Sequence, residues 1–442
     1  MSSQRPPLSR RTFVSPAVEA TISRIAGSMR DPELAWLFSN CLPNTLDTTI
    51  DFRDGARPDT FVVTGDIPAM WLRDSTAQVW PYLAFAPADP RLQRMLAGVI
   101  HRQVRCVRHD PYANAFNRGR EGSPWAEDRT AMRPDLHERK WEMDSLCAVI
   151  RLSHGYWRVC GDPTPFDADW SDAMALILRT FIEQQRWDGP GPYRFQRRGF
   201  NPADSLPFDG EGWPARPNGL IRSAFRPSDD ACQFPYHVPG NFMAVTVLQQ
   251  LWTMADALQR PALATAAARL AADVARGLAS SLPLHLALPY EIDGYGNQLC
   301  IDDANVPSLL SLPYLGCMPV RDSRYQATRA RVLSPDNPFF QAGRAARGIG
   351  SAHTGTRMVW PIALIMQALT STDDNEILGC LAQLRDTHAG TGLMHEAFDP
   401  DDPRRFTRPW FAWANSLFGE LILWLDATRP DLLQRVPVLV RA

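Results

Sequence analysis

Carboxylates, arginines and tryptophans crowd into five stretches of this chain, beside Gly and Pro, in a composition too reactive for mere spacers. The first is TGDIPAMWLRDS (64–75). An aromatic beside an Arg–Asp pair suits a sugar: the ring stacks on the apolar face while charged groups bond the hydroxyls. The same string also reads as a helix start, with Asp66 as N-cap, Pro68 near the first turn and Met70, Asp74 and Gln78 on one face. The second is FRPSDDA (225–231), followed by Tyr236, His237 and Asn241. Adjacent carboxylates next to an arginine can do different work, because charge and burial push their pKa values apart. Ser228 or Asp229 opening a helix is the structural alternative.

The third stretch runs from residue 290 to 297 and on through Asp302, Asp303 and Asn305 to Pro307. Its acidic density raises calcium, yet no Glu closes a twelve-residue calcium loop, so hydroxyl binding or a structured turn is more economical. The fourth, GIGSAHT (348–354), carries a Gly-x-Gly without a strand before it, a weak dinucleotide signal. The fifth joins GLMHEAFD (392–399) to Phe406-Thr407-Arg408-Pro409-Trp410-Phe411-Ala412-Trp413. His395-Glu396 lacks the second His of a zinc-protease helix. Trp410 and Trp413 fall on one side of the last long helix, as core or as a wall of a site.

Other chemistries are excluded in turn. There is no Ser or Cys nucleophile elbow. The eight cysteines form no Cys-x-x-Cys pair, and neither a metal nor another cofactor is expected. Lys140 is the only lysine, which argues against a Schiff base or a Walker loop. With 46 basic and 48 acidic residues and no basic stripe, nucleic acid is not a partner. What remains is carbohydrate chemistry. Two carboxyls suffice for it, one protonating the leaving oxygen and one activating water.

These groups need a frame, and the chain supplies mostly helices. Asp31-Pro32-Glu33 opens one helix with Leu34, Leu37 and Phe38 on its apolar side, and apolar residues recur at helical spacing over about 17–29, 71–85, 91–109, 141–160, 167–187, 239–258, 260–280, 306–316, 324–333, 357–370, 374–388 and 411–427. Strand alternation is confined to 60–64 and 193–195. The 38 prolines gather in the long loops, and nothing divides the chain, so one catalytic domain over 1–442 is expected, with 1–14 a disordered tail. Helix pairs in a ring, with the long loops at one end, give an all-α barrel. No run of 18 apolar residues exists, so no membrane span is expected. Ser9-Arg10-Arg11-Thr12-Phe13 looks like a twin-arginine signal, but Pro16, Glu19 and Arg24 interrupt the apolar stretch that must follow. Scattered cysteines in a large chain stay reduced, and a soluble cytoplasmic protein is expected.

TGDIPAMWLRDS, FRPSDDA, GIGSAHT and GLMHEAFD, together with DDANVPSLLSLPYLG (302–316) and FTRPWFAWANSLF (406–418), closely resemble glycoside hydrolase family 125, from about residue 32 to 423. The resemblance implies an (α/α)6 barrel and a metal-independent exo-α-1,6-mannosidase that acts on mannose-containing oligosaccharides with inversion. It implies an acid in the Arg-Pro-Ser-Asp-Asp string, Asp229 first and Asp230 second, and Glu396 as the base. The acid then needs a raised pKa, and the carboxyls a separation of roughly 6.5–9.5 Å. Asp66, Trp71, Arg73, Asp74, Arg226, Asp303, His353 and Trp413 would line the mannose pocket. Two other readings compete: a sugar epimerase on a similar barrel using His237, His353 and His395, and a carbohydrate-binding protein without catalysis.

Overall fold

The computed structural model describes residues 3–199, 201–282 and 286–436. Helices start where a short polar side chain precedes proline. Ser15, Asp31 and Asp89 each accept first-turn N–H groups, and Pro16, Pro32 and Pro90 occupy the position whose missing donor costs nothing. Each cap contributes about 1 kcal/mol. Twelve helices of eight or more residues result among the described residues. They are α1 (Pro16–Ser28), α2 (Pro32–Cys41), α3 (Leu72–Val79), α4 (Pro90–His109), α5 (Met143–Cys160) and α6 (Ala168–Gln185). After them come α7 (Val238–Ala257), α8 (Pro261–Ser281), α9 (Ser323–Val332), α10 (Pro361–Leu369), α11 (Asp374–Asp386) and α12 (Ala412–Thr428).

An inner wall forms from α7, α5, α3, α12 and α10, packed side by side in that order. Outside it α8 backs α7, α11 backs α10, and α4 lies across α5 and α6. This is the (α/α)6 barrel, and one apolar cluster from Phe13 to Val436 fills it. Segment 306–316 completes the inner wall: Val306, Pro307, Tyr314 and Leu315 line a small cavity on the axis with Arg73, Asp144, Met243 and Trp413. It is not the helix its apolar pattern suggests. The Asp302 carboxylate takes the N–H groups of Leu309 (2.8 Å) and Leu310 (3.0 Å), and Pro307 and Pro313 remove two more donors.

The strands are short and stitch the loops together. β1 (Ile50–Arg53) pairs with β2 (Asp59–Val62), as the 60–64 pattern suggests. β3 (Met70–Trp71), β4 (Ala115–Phe116) and β5 (Leu136–Glu138) form one antiparallel sheet, and β6 (Tyr236–His237), β7 (Glu291–Ile292) and β8 (Gln298–Leu299) another. β9 (Phe340–Ala342) pairs with β10 (Arg347–Ile349). The 193–195 segment is not a strand; only its neighbour Gln196 bridges, to Arg129.

The N-terminal expectation is corrected too. Residues 3–14 of the expected 1–14 tail are tied down: Arg5 bonds Glu19 and Asp47, and Phe13 is buried with its N–H on the Leu46 carbonyl at 2.9 Å. Among the described residues no helix is long and apolar enough to cross a membrane.

Candidate active site

The inner helices α3, α5, α7, α10 and α12 begin at the same end of the barrel, and the reactive strings sit at those beginnings. Trp71 and Arg73 open α3, Glu142 and Asp144 open α5, and Trp413 lies in the first turn of α12. Close packing sets the spacing there. A Cβ on Gly240, in the first turn of α7, would stand 2.8 Å from His237 Nδ1 and 2.9 Å from Met143 Sδ.

The catalytic-looking carboxyls ride on two hairpins. In the first, Phe225 and Ala231 bridge, and Arg226 and Asp230 join through their backbones at 2.7 Å. The base is clamped by the Arg226–Glu291 ion pair at 2.6 Å, whose glutamate also accepts the N–H groups of Gln233 and Phe234. At its tip Asp229 has φ +67°, a left-handed conformation that costs a non-glycine residue of order 1–3 kcal/mol and clusters at functional sites. Lys140 holds that tip, donating to the Asp229 carbonyl at 2.7 Å. In the second hairpin Phe398 bridges both Val359 and Phe406. It presents Glu396, whose oxygens accept from Thr407 Oγ1 (2.8 Å) and Arg408 Nη1 (3.3 Å).

Asp229 and Glu396 line one cavity of about 90 Å³, together with Trp71, Arg73, Asp74, Asn305, His353, Trp360, Arg408, Phe411 and Trp413. At ~10–15 Å³ per water it has room for roughly six to nine waters, the scale of one pyranose ring. Buried polar atoms without partners belong to this wall: Trp71 Nε1, Arg73 Nε and Asp74 Oδ2. Orphans of this kind carry a desolvation cost until a ligand satisfies them. Trp413 lies under the Arg73 guanidinium, 5.8 Å from its ring centre.

The electrostatics differ from expectation in one respect. Arg73 contacts Glu142 (2.6 Å), Asp144 (3.2 Å), Asp229 (3.4 Å) and Asp74 (3.5 Å). Burial pushes Glu142 well above the usual carboxylate range, with the Asp229 charge adding to it. Burial works on Asp229 in the same sense. However, its hydrogen bond from Glu142 and the charges of Arg73, Lys140 and His353 outweigh that and hold it well below the usual range. The raised carboxyl expected at Asp229 is therefore found on its partner Glu142, while the hydrogen bond from Glu142 and the nearby positive charges keep Asp229 low. Asp74 is raised to about 6 by burial and the nearby Asp229 charge. His353 is pushed up to about 9: burial opposes its charge, but Asp230, Asp229 and Glu396 favour it.

The comparisons now decide the family. Residues 31–423 match the family model described as metal-independent alpha-mannosidase (GH125). The chain belongs to glycoside hydrolase family 125. It is 42% identical to the meiotically up-regulated gene 157 protein of Schizosaccharomyces pombe, over 98% of this chain and 90% of that one. It is 40% identical, with a TM-score of 0.90, to a Streptococcus pneumoniae metal-independent alpha mannosidase solved in a non-productive complex with alpha-1,6-mannobiose, covering 95% of this chain and all of that one. A bacterial glucoamylase shares the fold alone, at 11% identity and a TM-score of 0.54, over 90% of this chain and 56% of that one.

Against this GH125 frame the eleven residues singled out from sequence divide. Trp71, Arg73, Asp74, Asp229, His353, Glu396 and Trp413 share the cavity. Asp230 and Arg226 face a neighbouring cavity behind the hairpin, with Trp213 and Gln233. Asp303 stands behind the wall: it holds Asn305 through two bonds and accepts from Ser351 at 2.6 Å, so Asn305 is the residue presented. Asp66 sits at the rim, paired with Arg408. It caps no helix, because Gly65 turns the chain and Met70–Trp71 is a strand before α3 begins.

Sequence reading passed over Glu142, Asp144, Asn305 and Arg408. Glu142 and Asp144 stand among five charged residues, Glu138, Arg139, Lys140, Glu142 and Asp144, that surround Trp141 and abut an apolar helix. Two of the three histidines needed by an epimerase are elsewhere. His237 is buried, lowered to about 3, and accepts the Gly240 N–H; His395 stacks on Phe406 with 4.0 Å between ring centres. The acidic third stretch serves the chain itself, Asp293 holding a turn and Asp302 holding 309–310. Among the described residues no group of three His, Cys, Asp or Glu is placed to hold a metal ion.

Proposed function

We propose that this α-mannosidase is exo-acting and cleaves α-1,6-linked terminal mannose from mannose oligosaccharides or N-glycan fragments by single displacement with inversion, within one catalytic domain. Asp229 protonates the departing oxygen, and Glu396 deprotonates the water that attacks C1 from the opposite face. Trp71, Asp74, Asn305 and Trp413 hold the ring. The observation that carries this reading is that Asp229 and Glu396, from hairpins far apart in the chain, line one cavity of single-ring size. Asp229 is preferred to Asp230 because Asp230 faces the other side and is engaged by His353 at 3.6 Å. The α-1,6 preference draws on the mannobiose seen in the Streptococcus pneumoniae relative. Eight free cysteines support a cytoplasmic setting.

A proton NMR time course on α-1,6-mannobiose tests the proposal, run with and without EDTA. β-Mannose is expected first, at the same rate in both. α-Mannose first would overturn inversion, no cleavage would leave only a binding protein, and loss in EDTA restored by calcium would overturn a metal-free mechanism.

A further inference from the structure

Four carboxyls surround one guanidinium in the pocket wall. Arg73 and Asp74 come from α3, Asp144 from α5, Glu142 from the residue before it, and Asp229 from the hairpin tip. Side-chain exposures are 0% for Glu142, 1% for Asp144, 6% for Asp74 and 24% for Asp229. Lys140 and His353 also favour the Asp229 charge, but each is paired outside the cluster, Lys140 with Asp204 (3.1 Å) and the Asp229 carbonyl, His353 with Asp230. Fully ionised, the cluster would set four negative charges around the one guanidinium that all four contact. Two like charges 4 Å apart repel by about 4 kcal/mol even at an effective dielectric of 20. Such a cluster keeps a proton, as carboxyl pairs that share a site do.

The geometry of Glu142 says where that proton lies. Its Oε1 accepts from Asn114 Nδ2 at 3.2 Å and its Oε2 from Arg73 and Ser145 Oγ, at 2.6 and 3.1 Å. Its remaining partner is Asp229, which meets the other arm of the same guanidinium: Arg73 Nη1 donates to Glu142 at 2.6 Å and Nη2 to Asp229 at 3.4 Å. A hydrogen bond between two carboxyls requires one proton between them. Asp144 and Asp74 reach Arg73 but do not bond Asp229, so the pair is Glu142 with Asp229.

Resting on the assignment of Asp229 as the acid, we propose that Glu142 is a positioning residue. It shares one proton with Asp229, so that the acid step is loaded at neutral pH. On cleavage the C1–O bond breaks and the shared proton forms the O–H bond of the leaving sugar. Both carboxyls are then ionised beside Arg73, the proton of the attacking water goes to Glu396, and the hydroxyl joins C1. After release the pair regains one proton from solvent through the exposed edge of Asp229.

The test compares leaving groups. Glu142→Gln keeps a hydrogen bond to Asp229 but removes the shared proton. It is expected to lower kcat/KM at pH 7 on α-1,6-mannobiose by about 10²-fold or more, within the range of general-acid effects. On 2,4-dinitrophenyl α-mannoside, whose leaving group needs no protonation, the loss is expected to stay under about tenfold. The basic limb of its mannobiose pH profile moves to lower pH. Equal losses on the two substrates, or an unmoved limb, would overturn the proposal. Should the Gln variant not fold, Glu142→Asp is measured the same way and must show the same leaving-group bias. Asp229→Asn runs alongside: if it lacks the bias, the acid assignment itself fails; if it shows the bias and Glu142→Gln does not, only the shared proton falls.

Discussion

Removing the charge at Asp74 is expected to stabilise the protein while weakening catalysis. The Asp74 carboxyl is 6% exposed, accepts no hydrogen bond at Oδ2, and is raised to about 6 from the ordinary 3.8 by burial and by Asp229. Two units correspond to about 3 kcal/mol of differential cost to the ionised form. The sign follows from proton counting. Between about pH 4 and 6 the folded state holds a proton the unfolded state has lost, so stability falls as pH rises, and above 6 the full penalty remains. Asp74→Asn removes it, less what the neutral amide loses toward Arg73. We expect a gain of about 1–2 kcal/mol at pH 7.5 and about a third of that at pH 4.5. With ~2.1 cal/mol/K of unfolding entropy per residue, this chain should gain about 1–2 °C in Tm at pH 7.5. The same variant loses a charged acceptor aimed into the cavity, worth roughly 1.5–3 kcal/mol, so kcat/KM on α-1,6-mannobiose should fall about 10- to 100-fold. Differential scanning calorimetry at both pH values, with initial rates, checks the pair of effects. A lower Tm at pH 7.5, or a gain independent of pH, would refute the burial argument.

Three further outcomes follow from the site. Glu396→Gln should cut kcat by about 10³–10⁴-fold, or 4–5.5 kcal/mol on the barrier, because an amide cannot take the proton of the attacking water. Glu396→Ala with azide should form β-mannosyl azide, seen by NMR, and an α-azide would place Glu396 on the wrong face. His353, raised to about 9, is an imidazolium at neutral pH beside Asp230. That pairing is complete below pH 6.5 and lost as pH climbs through about 9. Activity should therefore decline there, and the decline should move or vanish in His353→Gln, as a pH–rate profile would show.

Fold and site were legible to different depths. The helical spacing of apolar residues announced α1, α2 and α4, and the structure shows each starting at a polar cap followed by proline. Segment 306–316 misled because its apolar pattern reflects burial on the barrel axis, while Asp302 decides its backbone from outside the segment. Asp66 misled for a similar reason: its fate depends on Arg408, some 340 residues away. Asp229 and Asp230 are indistinguishable in sequence, and a single left-handed residue at a hairpin tip sends them to opposite sides. Glu142 was hidden because its importance lies in whom it meets, and Arg73 and Asp229 reach it only in the folded barrel.

The charges on the wall are arranged for a cation that exists only in passing. Each positive group there already faces carboxylates: Arg73 the four behind it, Arg408 both Asp66 and Glu396, His353 its neighbour Asp230. The cavity presents Asp74, Glu396 and Asp229, backed by Glu142, with tryptophans beside them. A neutral mannose gains little from so many acceptors beyond its hydroxyl bonds. An oxocarbenium-like ring gains Coulombic stabilisation in a site largely closed to water, where preorganised charge acts at full strength. Once the shared proton leaves for the departing oxygen, the site becomes more negative just as the ring becomes more positive, so the acid step and the electrostatic step reinforce each other.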